Sequence, residues 1–327
     1  MYSAPSYFPT NWKINTMVEF DNSYLIGTDN GIYQIPYTLD SITKLSAQPY
    51  KINQMKVSTY DPLFPGLFIA SSAGWGFLEN LSELVDDLVL FDPFAAAPNE
   101  EVNSISFDPD EDFVALGNPT KGLKIYDTNS DTTSTFDISP TMFSDEINDI
   151  TYAEGLDNDS MTYIRTFMIA TNNTLHQIDV DNMTIFKNTG NDQVNSVFSY
   201  IPISTPGIIK NVFTDGTTIT IFEDAIYNSV SPFQVNGQQD ITSASFGSPA
   251  VVNKVWFDSD DVLHLGHSLG YSIQTSTSAP FINYSVESGL PNNNVKTIMR
   301  NGDDKILIGT DAGLCISNDV ISVMALD

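Results

Sequence analysis

Gly266-His267-Ser268-Leu269-Gly270 fits G-x-S-x-G, the pattern in which a strained strand-to-helix turn exposes a nucleophilic serine. That chemistry needs an acid and then a histidine later in the chain, and no histidine follows His267. The pentapeptide also falls between two strand-like runs, where a hairpin turn is expected. His264 and His267, with His176 further upstream, are the nitrogen ligands a transition metal would use. Residues three apart along a strand and its following turn point to opposite faces, which separates the first two. The acidic turns are a third candidate: Asp108, Asp110, Glu111 and Asp112; Asp258, Asp260 and Asp261; Asp303 and Asp304. Alternate carboxylates on a short loop can gather Ca²⁺, but the Gly and bidentate Glu of the calcium-loop pattern are missing, and Asp-rich hairpin turns explain the clusters. A carboxylate pair for glycoside hydrolysis would have to face across roughly 5–10 Å, and 41 acids offer too many pairs to choose among. The expectation is a protein without catalytic residues, metal or cofactor.

Composition narrows the partners. With 41 Asp and Glu against 13 Lys and Arg, the formal charge is -28, and Arg165 and Arg300 are the only arginines. Such a chain cannot neutralise a phosphate backbone, so nucleic acid and anionic membrane surfaces are poor partners. Cys315 is the single cysteine and has no internal disulfide partner. The N-terminal MYSAPSYFPTNWKIN lacks the basic start and apolar stretch of a secretory signal, and no run approaches the roughly 18 apolar residues of a membrane helix. The expected location is a virion or the cytoplasm, or outside the cell if a signal has been removed.

The elements that position these residues are read from internal repetition. LIGTDNGIYQI at 25–35 returns as LIGTDAGLCIS at 307–317, with weaker copies at 68–77, 114–126, 168–178 and 263–273. Upstream of the copies stands an apolar residue followed by asparagine: Ile14-Asn15, Ile52-Asn53, Val102-Asn103, Ile147-Asn148, Val194-Asn195 and Val252-Asn253, with Val295-Lys296 in the last place. Successive pairs lie 38 to 58 residues apart. Closed through the termini, they give seven units of about 47 residues, the period of propeller blades.

Each unit reads as alternating strands separated by turn residues, as in VNSISF, DPDED, FVALG and LKIYD at 102–127. The expected fold is all-β: one domain over 1–327, a single seven-bladed β-propeller of four-stranded blades. The residues before Trp12 and the C-terminal NDVISVMALD are expected to supply strands to one shared blade. The fifth unit is the longest, and TITIFEDAIYNSV at 218–230 is taken for its decayed second signature, so six blades with an insertion stay open. LSELVDDLVLF at 81–91 reads as a short helix or an outer strand.

GLPNNNVKTIMRNGDDKILIGTDAGLCIS at 289–317 closely resembles the repeat of the two-component-regulator propeller family: a Leu-Pro-x-Asn entry, an apolar strand, a D/G turn and an I-G-T-x-x-G-L ending. The unit at 14–35 matches the second half of that pattern, and the others match in part. The resemblance implies seven-bladed propellers acting as oligosaccharide-binding sensor domains upstream of a membrane-anchored kinase. Leu25 and Leu307 stand where the family commonly has Trp, and this sequence carries no second propeller, membrane helix or kinase.

If the first strand of each blade lines a central channel, one mouth collects Asn15, Thr28, Asp29, Asn53, Ser71, Asn103, Asn118, Asn148, Thr171, Asn195, Asn253, His267, Thr310 and Asp311. Short amides and hydroxyls suit a neutral polar ligand such as a sugar. Repetition at equivalent places nevertheless favours an architectural role, capping strand ends and neighbouring backbone. The leading expectation is therefore a non-enzymatic interaction or assembly module whose partners are other chains of a larger assembly, with a phage tail or adsorption apparatus suggested by composition. The alternatives are an oligosaccharide-binding sensor-type propeller and a polysaccharide lyase or hydrolase.

Overall fold

The computed structural model describes residues 2–3, 12–38, 41–45, 49–58, 66–81, 100–130, 132–136, 146–157, 162–172, 175–182, 184–187, 193–200, 210–227, 234–242, 250–258, 260–276, 279–301 and 305–317. Among these residues the structure is all-β apart from a short 3₁₀ turn at Val286–Ser288, and the strands form six sheets.

The first sheet contains Ile14–Phe20, Ser23–Thr28, Gly31–Pro36 and Thr43–Lys44. Ile52–Ser58, Gly66–Ser71 and Gly74–Leu78 make the second, and Ser104–Phe107, Phe113–Asn118, Gly122–Asp127 and Thr132–Phe136 the third. An eight-stranded sheet follows. Its two runs, Ile147–Asp157 to Thr184–Lys187 and Ser196–Tyr200 to Gln234–Thr242, are joined where Gly155–Asp157 runs parallel to Ala225–Tyr227. The next sheet holds Val252–Phe257, Leu263–His267, Gly270–Gln274 and Ile282–Tyr284. In the last, Val295–Arg300, Ile306–Thr310 and Gly313–Ser317 are joined by Tyr2–Ser3, which pairs antiparallel with Gly313–Ser317. The N-terminal residues thus add the outer strand expected of them, whereas NDVISVMALD lies outside the described residues, as do positions 82–91 of the helix-or-strand segment.

The second strand of a unit is apolar on both faces because both faces are covered. Ser23–Thr28, Gly66–Ser71, Leu263–His267 and Ile306–Thr310 are buried at every position. Successive units share their cores: Leu25, Ile32, Ile52, Met55, Leu67 and Ile69 form one cluster, and Ala115, Leu123, Ile147, Ile150 and Phe167 another. Ile14, Met17, Tyr24 and Ile26 of the first sheet pack with Leu307, Leu314 and Ile316 of the last.

The two repeated signatures meet in a single contact. In four units the glycine of the I-G-T-like stretch lies against the apolar residue that opens the following unit. A Cβ on Gly27 would sit 2.7 Å from Ile52 Cγ2, one on Gly117 2.5 Å from Ile147 Cγ2, one on Gly266 2.8 Å from Val295 Cγ1, and one on Gly309 2.6 Å from Ile14 Cγ2. No side chain fits there without moving its neighbour, which is why glycine recurs.

The fifth unit corrects the sequence reading. Thr218–Tyr227 is its third strand, not its second signature; that role belongs to Lys210–Thr214, where the N–H of Gly216 donates to Thr214 Oγ1.

Candidate functional site

Five of the seven first strands begin with a bulge. Ile14 pairs with Thr28 and Thr16 with Gly27, which leaves Asn15 out of the ladder; the register shifts in the same way around Asn53, Asn148, Asn253 and Lys296. A bulge frees one residue and re-aims its side chain. These side chains border a cavity of about 430 Å³ lined by first strands and the residues just before them, including all six asparagines (Asn15, Asn53, Asn103, Asn148, Asn195 and Asn253) and Lys296.

The amide nitrogens are used by the fold. Asn15 Nδ2 donates to the Ile52 carbonyl at 3.0 Å, Asn53 to Val102 at 2.8 Å, Asn103 to Ile147 at 3.1 Å, Asn148 to Val194 at 2.7 Å, Asn195 to Val252 at 3.2 Å and Asn253 to Val295 at 2.9 Å. A carbonyl partner fixes which end of the amide is nitrogen. Second donations run to Asp29, Glu101, Asn172 and Asn294. The Oδ1 atoms of Asn15, Asn53, Asn103, Asn148 and Asn253 accept nothing from the described residues, whereas Asn195 Oδ1 accepts from Gln193 Nε2. The rim is therefore an incomplete circle of hydrogen-bond acceptors.

The remaining residues expected at the mouth stand at the same end of the sheets but do not line the cavity. Thr28, Ser71, Asn118, Thr171, His267 and Thr310 are buried. The hydroxyls of Thr28, Ser71 and Thr310 donate to the carbonyls of Gly31, Gly74 and Gly313. Asn118 donates to the Glu101 carbonyl and accepts from the N–H groups of Thr120 and Lys121. Asp29 and Asp311 accept from Asn15 and Asn294. These side chains close turns, so the fourteen-residue face reduces to its asparagines at the cavity.

Sequence reasoning missed what lies below the rim. Asp149 is buried and accepts from Lys254 Nζ at 3.0 Å, Gln54 Nε2 at 3.0 Å and Ser196 Oγ at 2.9 Å, with the N–H of Val197 at 3.3 Å. Gln54 Oε1 in turn accepts from Ser104 Oγ and the Ile105 N–H. One carboxylate thereby joins strands up to 105 residues distant in sequence. Burial would raise its pKa, but the ammonium groups of Lys254 and Lys56 outweigh burial and hold it below the usual carboxylate value. Lys56 Nζ donates to the Ile150 carbonyl at 2.8 Å and to Ser106 Oγ at 3.3 Å. Burial, only partly offset by Asp149, brings Lys56 down to about 8.

The other candidates are occupied. The hairpin pairs His267 with Gly270, so Ser268 sits in a two-residue strand-to-strand turn and not a nucleophile elbow. His267 Nδ1 accepts the Leu269 N–H, so in the neutral ring Nε2 carries the proton and donates to Ser272 Oγ at 2.7 Å. Burial depresses His267 to about 4. His264 lies on the opposite face, between Tyr271 Oη at 2.6 Å and Asp258 Oδ2 at 3.1 Å. The acidic turns are not simply solvated. Asp108 and Asp258 are buried, accept from the N–H groups of Phe113 and Val262, and are gripped by Arg165 at 3.0 Å and Arg300 at 2.9 Å. Carboxylate oxygens of Asp108, Asp110 and Asp112 lie within 4.8 Å of one another, but Arg165 reaches both Asp108 and Asp112.

No family model matches the chain, and no curated protein matches it. Among solved structures it is similar to the extracellular domain assigned to the hybrid two-component system BT4673 of B. thetaiotaomicron, at 14% identity and a TM-score of 0.66 over 95% of this chain and 38% of that one. The extracellular domain assigned to the hybrid two-component system BT3049 of the same organism matches at 15% identity and a TM-score of 0.61, over 94% of this chain and 40% of that one. The computationally designed protein Ika8 matches at 10% identity and a TM-score of 0.61, over 94% of this chain and 96% of that one. At these identities the likeness is one of fold, and the chain spans about 38–40% of the sensor domains it matches. Among the described residues, no helix is long and apolar enough to cross a membrane.

Proposed function

We propose that the chain is a closed seven-bladed β-propeller that acts as a recognition domain without chemistry of its own, taking its ligand at the asparagine end of the channel. Seven blades follow if the eight-stranded sheet counts as two. Closure is supported by the core shared between the first and last sheets and by Tyr2–Ser3 pairing with Gly313–Ser317. Recognition is supported by the likeness to sensor extracellular domains.

The observation that carries the reading is the acceptor rim. Five amides donate to the fold, four of them with both protons, and keep carbonyl oxygens that accept from no described residue, above a cavity walled in part by Trp256 and Phe198. Hydroxyl donors over an apolar wall describe a saccharide, the ligand class the repeat resemblance implied. No neighbour reported above favours a virion role, and the buried, hydrogen-bonded state of His264 and His267 favours a non-enzymatic domain.

Calorimetry of the full chain against a panel of neutral and acidic oligosaccharides tests this. Saturable binding to at least one, weakened in Asn103→Ala while the far-UV spectrum is kept, is expected. Absence of saturable binding across the panel would overturn the reading.

A further inference from the structure

Resting on the recognition reading, we infer that the ligand carries an anionic group, a carboxylate or a sulfate, received by the lysines of the channel. The chain as a whole bears -28, yet its cavity is lined by Lys56, Lys254 and Lys296 against one carboxylate, Asp149. Three of 13 basic side chains and one of 41 acids give this small volume a formal surplus of two positive charges. A surface charged by chance at this composition would have the opposite sign.

Lys296 makes the case specific. It occupies the bulge position that holds asparagine in the other units. Where Asn253 donates to Val295, Lys296 makes no hydrogen bond or ion pair among the described residues. The repeat is broken in one place, and the break puts a half-buried, unneutralised ammonium at the rim. Ligand sites are where repeats are expected to break, since architecture is served by keeping them. Lys254 already has its carboxylate at 3.0 Å, while Lys56 donates to a neutral carbonyl and a hydroxyl. Among the described residues, Lys56 and Lys296 are thus without a directly paired counter-charge. In a partly desolvated cavity, an arriving anion gains more from them than it would at an open surface. The rim oxygens and Trp256 leave room for the hydroxylated remainder of an acidic saccharide.

The substitution Lys296→Asn restores the repeat and should therefore fold. The full chain and this variant would be titrated by calorimetry with sodium glucuronate, sodium sulfate and glucose at constant ionic strength. Both anions are expected to bind the native chain saturably, and the variant to lose about tenfold in anion affinity, the scale of one charge contact. Glucuronate binding more tightly than sulfate identifies an acidic saccharide as the source; sulfate binding as tightly identifies a free anion. Lys56 faces Asp149, Lys254, Ser106 and the Ile150 carbonyl, so anion affinity should also fall as the pH rises through about 8. No saturable anion binding, or equal binding by the variant, overturns the inference. If neutral oligosaccharides still bind in that case, the recognition reading survives alone; if nothing binds, both fall.

Discussion

The two ends of the strands solve the same problem differently. At the amide end, an asparagine hands its N–H to the next unit's opening carbonyl, six times with the same partner position. At the hairpin end each unit improvises. Asp21 and Asn22 turn the first hairpin at φ 48° and 57°, Arg165 pins Asp108, Arg300 pins Asp258, and Asn301 donates to Tyr24 Oη. Both arginines of the chain are spent on that end. The difference separates what the fold needs from what it tolerates: the amide end has one device and one departure from it, Lys296, so the departure is informative. The hairpin end varies throughout, so its buried Asp258–His264–Tyr271 chain carries no comparable signal.

Substitutions and pH measurements sharpen that contrast. The largest effect is expected where the amide end converges: Asp149→Ala leaves Lys254 without its partner and should cost about 3–5 kcal/mol in urea unfolding. At the hairpin end, Arg300→Met leaves Asp258 buried beside His264, and about 1.5–3 kcal/mol should be lost. An equal or larger loss than for Asp149→Ala would reverse the ranking of the two ends. Asn53→Ala removes one donor of the repeated set, and a loss of about 1 kcal/mol is expected. Matching losses at Asn103 and Asn148 would establish that the amides act as equivalents.

The smallest effect at neutral pH belongs to His267→Gln. Burial places the folded His267 near 4, below its ordinary 6.5, so between those values the unfolded chain binds the proton more readily. The stability held by neutral His267 is present above 6.5 and lost as the pH falls toward 4. The variant should flatten that slope in urea midpoints taken from pH 7 to 4; an unchanged slope would assign the acid sensitivity elsewhere. Lys56 acts in the basic range. With its folded value near 8 and its ordinary value at 10.5, stability should rise across that window as the unfolded chain retains the proton longer.

The strand pattern and the shared end positions were legible because they are local and repeated. Ile52 and Gly27 each belong to a signature readable in a few residues, although their contact across units is not. The mouth was overfilled for a related reason. Sequence places Thr28 and Asn15 at the same strand ends, but cannot tell a hydroxyl folded onto the Gly31 carbonyl from an amide freed by a bulge. Asp149, Lys56 and Lys254 carried no signal. Each stands one to three residues past the expected asparagine, and they meet only because first strands from distant units converge. In the fifth unit, Thr214-Asp215-Gly216 is the turn signal, but the longer apolar run after it carries the stronger strand pattern.

The contact of Ile52 with Gly27, repeated by Gly117 with Ile147, Gly266 with Val295 and Gly309 with Ile14, is polar in direction: in these four units the apolar opening residue of one unit plugs a glycine socket on the trailing side of the unit before it. Such an interface is heterologous, like that between subunits of a cyclic oligomer, and cannot be satisfied by a twofold pairing of like surfaces. Plug and socket would fit as well in a ring of six, seven or eight. The number of units such an interface can join is then a matter of the angle between the two surfaces, set by how the intervening side chains fill the wedge, so modest changes in core volume would retune that number without touching either signature.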